Sequence, residues 1–522
     1  GDPFDTSVLL WTRAAPVSTA NPGPDVDVPI CVSYKVFDNP RLSGSVINSG
    51  EAFTSYDVDW TVKVEATGLK ADTRYWYQFA DCTNAVTVSP VGATRTLPDP
   101  DTPAEDVNGG KPLTLAVFSC SRWQDGYFNA YGYAAHNTSA DIFIHLGDYI
   151  YESLGNGASI GRQTLGRELA TIFDYRQRLG QYRTDTSLIY AHQYSPWITD
   201  DHEVADQAWK AGTADSNDTT VGCSFSPSGA CFTDRKLAAV RAYHEWIPIR
   251  QVVADDKLRI WRNFQIGKLL DLTMLDTRNT CVRQITDVNT ISSYPNRSIM
   301  GFEQENWFYS SLSESQARGA VWRIIGQQIV FSQLNESGTY KLTFIHRLYC
   351  VNPLKDAWDG YRANRMRVLD YLYNNHITNT IILSGDSHAN WVSDLAIPND
   401  TTTYNPNTGD GAIGVEFAGT AVTSSSAFGA GISPQAADKI SQVYVAANPD
   451  LQWSEGSYRG FFTLTIDANN INATYYAMNN IKTANLDGFS SAQFNVQKGA
   501  NKLTRPVAGG NVAAGVLKST VV

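Results

Sequence analysis

The sequence predicts an α/β core preceded by a small all-β module. Three observations carry this reading. Short, continuous apolar runs recur after residue 111, and each ends in polar residues. Stretches of helical periodicity lie between them. Before residue 98 the pattern is different, with β-rich runs at sandwich-like spacing. Strands alternating with helices pack as α/β layers, and closely spaced strands with turn residues between them pack as a sandwich.

The elements follow in chain order. Residues 7–12 (SVLLWT), 30–36 (ICVSYKV) and 75–79 (YWYQF) are the β-rich runs of a module spanning 1–97. Leu69, Thr73 and Tyr75 have the form L-x-x-x-T-x-Y. That form resembles the tyrosine corner of fibronectin type III modules, in which a phenol ties back to nearby backbone; the competing reading is an ordinary strand with alternating aromatics. Residues 98–111 are rich in Pro, Asp and Gly and read as a linker. Residues 113–118, 142–146, 269–275 and 380–384 are buried-strand runs, and 235–246 and 303–312 have helical periodicity. These place an α/β domain at 112–499. Residues 500–522 are small and weakly patterned, a C-terminal tail or surface strap.

Composition narrows the function classes. Of 522 residues, 43% are apolar and 18% charged, which excludes a disordered chain and allows a large core. The formal net charge of −11 makes the chain a poor electrostatic partner for nucleic-acid backbone or anionic lipid. No run reaches the roughly 18 apolar residues of a membrane helix. The chain opens at Gly1-Asp2-Pro3 without a signal peptide, as expected where one has been removed or trimmed away. Glycosylation sequons at Asn137, Asn217, Asn296, Asn335, Asn399 and Asn472 are compatible with secretion. The expectation is a secreted monomer.

The chemistry gathers at four strand ends. Ser119-Cys120 follows the first run and Gly147-Asp148-Tyr149-Ile150-Tyr151 the second. Asp200-Asp201-His202-Glu203 follows Trp197-Ile198-Thr199, and Gly385-Asp386-Ser387-His388 follows the last run. One Gly-Asp after a strand is most simply a turn. Four clusters of Asp, His, Tyr and Cys at strand ends are not, because sites in α/β sheets form outside the carboxyl ends of strands. Hard carboxylate oxygens suit Ca²⁺, Mg²⁺ or Fe³⁺. Such a set suits metal-assisted phosphoryl transfer, with one Asp shared between two cations.

Residues 147–152 (GDYIYE), 200–204 (DDHEV), 275–278 (LDTR), 356–361 (DAWDGY) and 385–389 (GDSHA) resemble the signatures of PhoD-like alkaline phosphatases, in the family's order. Residues 1–13 resemble the start of the family's N-terminal module, and the likeness spans roughly 1–475. The resemblance implies a metallophosphoesterase-like sandwich core, related to purple acid phosphatases, with Fe³⁺ and Ca²⁺ at the site. It implies iron ligation by Cys120 and Tyr151, Asp148 bridging iron and calcium, ligands from Asp386, His388 and one of Asp200 and Asp201, and Glu416 as a further calcium candidate. Where relatives often carry paired Asn, one of them a ligand, this chain has Asp206-Gln207.

Each residue also has a plainer reading. Cys120 as a buried core cysteine is the commoner case for a lone thiol. Here the other six of seven cysteines pair sensibly without it, as Cys31–Cys82, Cys223–Cys231 and Cys281–Cys350. His202, beside two Asp, is read as a general acid or outer-sphere group rather than a loop cap. His145 is read as a core or outer-sphere histidine. Tyr149 and Tyr151 are two apart, and only the motif selects Tyr151. Arg278 and Asp359 fit structural ion pairing as well as a substrate cleft.

The function expected is a secreted metal-dependent alkaline phosphatase hydrolysing phosphate esters by attack of metal-bound hydroxide. The alternatives are a phosphodiesterase of phospholipase D type, acting on phospholipid headgroups, and a non-catalytic β-sandwich adhesin. A serine hydrolase is set aside because no G-x-S-x-G elbow follows a buried strand.

Overall fold

The computed structural model describes residues 1–16, 29–199, 204–205, 208–209, 211–213, 215–251, 258–278, 292–335, 357–398, 400 and 402–521. Asp200, Asp201, His202, Asp206, Gln207, Cys281, Cys350 and Asn399 lie outside the described residues.

Two sheets stack face to face at the centre. One holds, in order, Gly488–Gln497, Asn470–Met478, Arg459–Ile466, Leu113–Phe118, Ile142–His145 and Trp197–Thr199. The other runs Arg262–Ile266, Leu270–Met274, Trp322–Gly326, Thr380–Ser384, Gly414–Ala418, Asn390–Leu395, Leu451–Glu455 and Val516–Leu517. The last three strands of the first sheet are parallel, as are Leu270–Met274 through Gly414–Ala418 in the second. Leu113–Phe118, Ile142–His145 and Thr380–Ser384 among them carry near-continuous apolar runs because both their faces are covered.

Strand alternation explains the layering. Leu113, Leu115 and Val117 point between the sheets and meet Leu272, Ile324, Ile381 and Phe417. Ala116 and Phe118 point outward and pack under the helices Asn129–Asn137, Ile172–Tyr182 and Thr186–Tyr194. On the second sheet, Ile325 and Ile382 point outward beneath Gly301–Ala317 and Arg362–Asn374. The core is therefore a helix–sheet–sheet–helix sandwich. Each fully buried Leu, Ile or Phe contributes about 1.5–3 kcal/mol.

The N-terminal residues form a separate all-β unit. Val8–Arg13 pairs with Thr61–Ala66, and a second sheet runs Asn48–Thr54, Ile30–Phe37, Arg74–Asp81, Gly92–Arg95. Val8, Leu10, Val32, Val36, Val62 and Phe79 fill the space between them. The tyrosine-corner bond is present: the Lys70 N–H donates to the Tyr75 hydroxyl at 2.8 Å. Cys31–Cys82 and Cys223–Cys231 are disulfides, and Cys120 is a free, buried thiol. The unit docks on the core through Asp2, whose carboxylate pairs with Arg262 at 2.9 Å, and through Trp11, whose Nε1–H donates to Glu245 O at 2.8 Å.

The last residues are a strap rather than a loose tail. Val516 and Leu517 pair with Ser454 and Trp453, and Arg505 meets the buried Asp394 at 2.6 Å. These ties are polar or two residues long, so they leave no periodic signal. No helix among the described residues is long and apolar enough to cross a membrane.

Candidate active site

Three strands deliver the chemistry. Leu113–Phe118 and Ile142–His145 are parallel neighbours, so the turns after them lie side by side. Thr380–Ser384 belongs to the facing sheet, and its end meets theirs. The backbone stitches the turns together: Cys120 N–H donates to Gly147 O at 3.2 Å and Ser121 N–H to Asp148 O at 2.9 Å. Gly385 is required where the sheets meet, because a Cβ there would lie 2.7 Å from Ser119 Cβ. Cys120, Asp148, Asp386 and His388 all have left-handed backbone, with φ of 63°, 54°, 63° and 53°. Each costs about 1–2 kcal/mol in a non-glycine residue. Strain of this kind persists only where the surroundings over-determine it, typically at functional sites.

The side chains converge. Ligand-type atoms of Cys120, Asp148 and His388 all lie within 4.8 Å of one another. Cys120 Sγ lies 3.5 Å from Asp148 Oδ2, and the Tyr151 hydroxyl donates to the same oxygen at 2.8 Å. Tyr151 also lies 3.2 Å from His388 Nε2. His388 Nδ1 sits 2.9 Å from Ser425 O, a bond it makes as a donor, which leaves Nε2 with its lone pair facing the cluster. Tyr149 turns the other way, its hydroxyl 3.0 Å from His192 Nε2. Tyr151 is thus the tyrosine of the pair that joins the cluster.

Electrostatics sharpen the picture. Burial pushes the Asp148 carboxyl up, and the charge of Asp386 adds to it, against the pull of Arg278. Desolvation and the charges of Asp148 and Asp386 drive the Cys120 thiol well up. Desolvation, then Asp148, does the same to the Tyr151 phenol. Desolvation holds His388 down at about 4, so its imidazole is neutral. The Tyr151 hydroxyl lies between Asp148 Oδ2 at 2.8 Å and His388 Nε2 at 3.2 Å, and Cys120 Sγ reaches the same carboxylate oxygen at 3.5 Å, so four ligand-type groups face one point. This donor set fits a cation, and its mixture of sulfur, oxygen and imidazole nitrogen suits a transition metal such as iron or zinc.

The remaining expectations divide. Asp386 stands beside the cluster, ion-paired with Arg278. Glu416 stands apart from it: the buried carboxylate accepts from Phe331 N–H at 2.7 Å, Ser332 N–H at 2.9 Å and Ser384 Oγ at 2.6 Å. Those bonds tie it to Phe331, Ser332 and the end of Thr380–Ser384. Asp359 forms a buried pair with Arg365 at 2.7 Å, the structural alternative. His145 is buried, its Nε2 2.9 Å from the Tyr131 hydroxyl. Thr199 ends its strand directly before Asp200, outside the described residues. Sequence reasoning missed Ser424 and Ser425, which touch Tyr151 and His388. They follow the buried strand Gly414–Ala418, but serine after a strand carries no ligand-type signal of its own. A cavity of about 400 Å³ at the seam of the N-terminal unit is lined by Trp11, Arg183 and His192, and by none of the cluster residues.

Comparison with known proteins places this geometry. The PhoD-like phosphatase family matches residues 115–475, and the PhoD-like phosphatase N-terminal domain matches residues 1–98. Alkaline phosphatase D of Bacillus subtilis (strain 168) is 32% identical over 534 residues, covering 99% of this chain and 83% of the relative. A solved structure of PhoD superposes with a TM-score of 0.78 at 30% identity, over 97% of this chain and 90% of that one. A purple acid phosphatase from yellow lupin (Lupinus luteus) seeds shares the fold, with a TM-score of 0.54 at 12% identity over 93% of this chain and 72% of that one.

Proposed function

As a member of the PhoD-like phosphatase family this chain is a phosphoric ester hydrolase, and we propose that it is a secreted, metal-dependent alkaline phosphatase. The observation that carries the reading is the meeting of Cys120, Asp148, Tyr151 and His388 at strand ends from two sheets. In this reading those four side chains hold Fe³⁺. Asp148 is shared with Ca²⁺, to which Asp386 and one of Asp200 and Asp201 contribute. Glu416 is left out of the set because its carboxylate already accepts three hydrogen bonds. Secretion rests on the two disulfides, which persist in oxidising compartments. The proposed organisation is a fibronectin type III-like module at 1–97, a linker at 98–111, the catalytic domain at 112–499 and the strap beyond, in a monomer.

Bound cations in such a set lower the pKa of water and draw charge from phosphoryl oxygens. The chain's own groups do the rest. Cys120 and Tyr151 would have to release their protons to solvent to act as anionic ligands, and His388 is already neutral. The left-handed turns hold these groups in place before substrate arrives, so little reorganisation is left for the reaction. Arg278, paired with Asp386, puts a guanidinium beside the site where a phosphate dianion would otherwise face carboxylates. His202 is assigned the proton to the leaving oxygen.

The test is turnover of p-nitrophenyl phosphate and bis(p-nitrophenyl) phosphate at alkaline pH, with metal analysis of the same samples. Hydrolysis of the monoester is expected, lost on chelation and regained with Ca²⁺ on iron-containing protein. Full activity in a chelated sample free of iron and calcium would overturn the metal reading. Preference for the diester would favour the phosphodiesterase alternative.

A further inference from the structure

The loop after Gly414–Ala418 is bound to the cluster more tightly than a connecting loop requires. Val422 N–H donates to Ser119 O at 2.9 Å, and Thr423 N–H and Ser424 N–H both reach Cys120 O at 3.3 Å. The Thr423 hydroxyl donates to Arg122 O at 2.7 Å, and Ser425 N–H to Asp125 Oδ2 at 3.1 Å. These bonds deliver two groups to the ligand-type side chains. The Ser424 hydroxyl lies 2.9 Å from the Tyr151 oxygen and 3.1 Å from Cys120 O. The Ser425 carbonyl takes the Nδ1–H of His388 at 2.9 Å.

Arg459, the first residue of Arg459–Ile466, explains how the two halves stay in register. It is 6% exposed, and its Nη1 donates to His388 O at 2.9 Å and to Ser424 O at 2.7 Å. Its Nη2 reaches Gly456 O at 3.4 Å. The carbonyls of the imidazole-bearing turn and of the serine loop thus share one cationic nitrogen. Its charge offsets the repulsion between their dipoles. A charge-assisted bond of this kind is stronger than a neutral one.

We propose that Ser424 and Ser425, held by Arg459, form the hydrogen-bonded support that fixes Tyr151 and His388 as a ligand pair. Ser425 O selects the tautomer of His388 that offers Nε2, as outer partners do for metal-bound histidines. Ser424 has one proton and two neighbouring oxygens. Its hydroxyl is within reach of both the Tyr151 oxygen and Cys120 O, so it is placed to donate to the oxygen that Tyr151 would offer a metal. Arg459 acts through both carbonyls and is a positioning residue. The proposal rests on the reading of Tyr151 and His388 as ligands.

Ferric iron is loaded into wild type, Ser424→Ala, Ser424→Thr, Arg459→Met, Arg459→Lys and Tyr151→Phe, and challenged with a competing chelator. Iron retention, the visible absorption band and the Tm of the metal-free proteins are recorded. Ser424→Ala is expected to keep the metal-free Tm, to lose iron at about tenfold lower chelator concentration, and to shift the band to longer wavelength. Loss of a donor to the phenolate makes it easier to oxidise, hence the direction. Ser424→Thr keeps the hydroxyl and should restore both. Arg459→Met should lose iron similarly and Arg459→Lys recover part of it; if the Met variant does not fold, the Lys variant decides, with retention below wild type expected. Wild-type retention and spectrum in Ser424→Ala, with the band reduced in Tyr151→Phe, would overturn the support role alone. An unchanged band in Tyr151→Phe would overturn the ligand reading beneath it.

Discussion

Tyr151 and Asp148 share one hydrogen bond of 2.8 Å, from the phenol hydroxyl to Oδ2, three residues apart on a turn whose Asp has φ of 54°. An extended chain would have put Tyr149 and Tyr151 on one face. The left-handed Asp148 rotates the chain so that Tyr149 goes to His192 and Tyr151 returns to the carboxylate that precedes it.

That bond makes Tyr151→Phe the most direct test of the site. A phenolate on ferric iron absorbs visible light as charge moves from oxygen to metal. The iron-loaded protein is expected to be coloured, and the Phe variant to lose part of that absorption. Turnover of p-nitrophenyl phosphate should fall at least tenfold, about 1.4 kcal/mol of transition-state stabilisation. An iron-replete Phe variant with unchanged spectrum and rate would end the ligand assignment.

Cys120 is buried 3.5 Å from Asp148 and is the free thiol among the described cysteines. Metal-free protein, denatured without reductant and alkylated, should carry a single label, at Cys120. Peptide mapping that placed Cys120 in a disulfide would remove it from the donor set.

His145 gives a pH prediction. It is buried, and desolvation pulls its pKa from 6.5 to about 3. Between those values the unfolded chain binds a proton that the folded chain refuses. Stability is therefore unaffected above pH about 6.5 and falls as pH drops below it, by at most about 1.4 kcal/mol per pH unit. Metal-free wild type should lose about 1–2 kcal/mol more stability than His145→Gln between pH 6.5 and 5. Urea unfolding at both pH values measures this; equal pH slopes would show that His145 does not resist protonation.

Tyr75 is 3% exposed and accepts from Lys70 N–H. Tyr75→Phe should lower stability by about 1 kcal/mol, the net worth of one hydrogen bond. Its phenol contacts no cluster residue, so kcat should be unchanged. A wild-type urea midpoint would show that the corner only packs.

Much of the site was legible because one physical rule holds across the chain. Apolar runs ending in Cys, Asp or Gly-Asp mark strands whose carboxyl ends face a common crevice. Asp148, Asp386 and His388 were found that way. Glu416 has surroundings that no strand-end rule describes. It lies in the middle of Gly414–Ala418, where a carboxylate must be satisfied by neighbouring strands, and Phe331, Ser332 and Ser384 do so. Ser424 and Ser425 escaped notice because serine in a loop is chemically ordinary. Only the partners they meet, Tyr151 and His388, give them meaning.

Local pattern alone determined the α/β core, the all-β unit ahead of it and the polar strand ends, since burial periodicity and residue chemistry are written residue by residue. Tertiary structure alone decided how the two tyrosines part, Tyr149 toward His192 and Tyr151 toward Asp148, which neighbours satisfy the Glu416 carboxylate, and that Arg459, 71 residues beyond His388, joins that residue's carbonyl to Ser424's. Those outcomes depend on φ at single positions and on contacts between two facing sheets, and neither has a period along the chain.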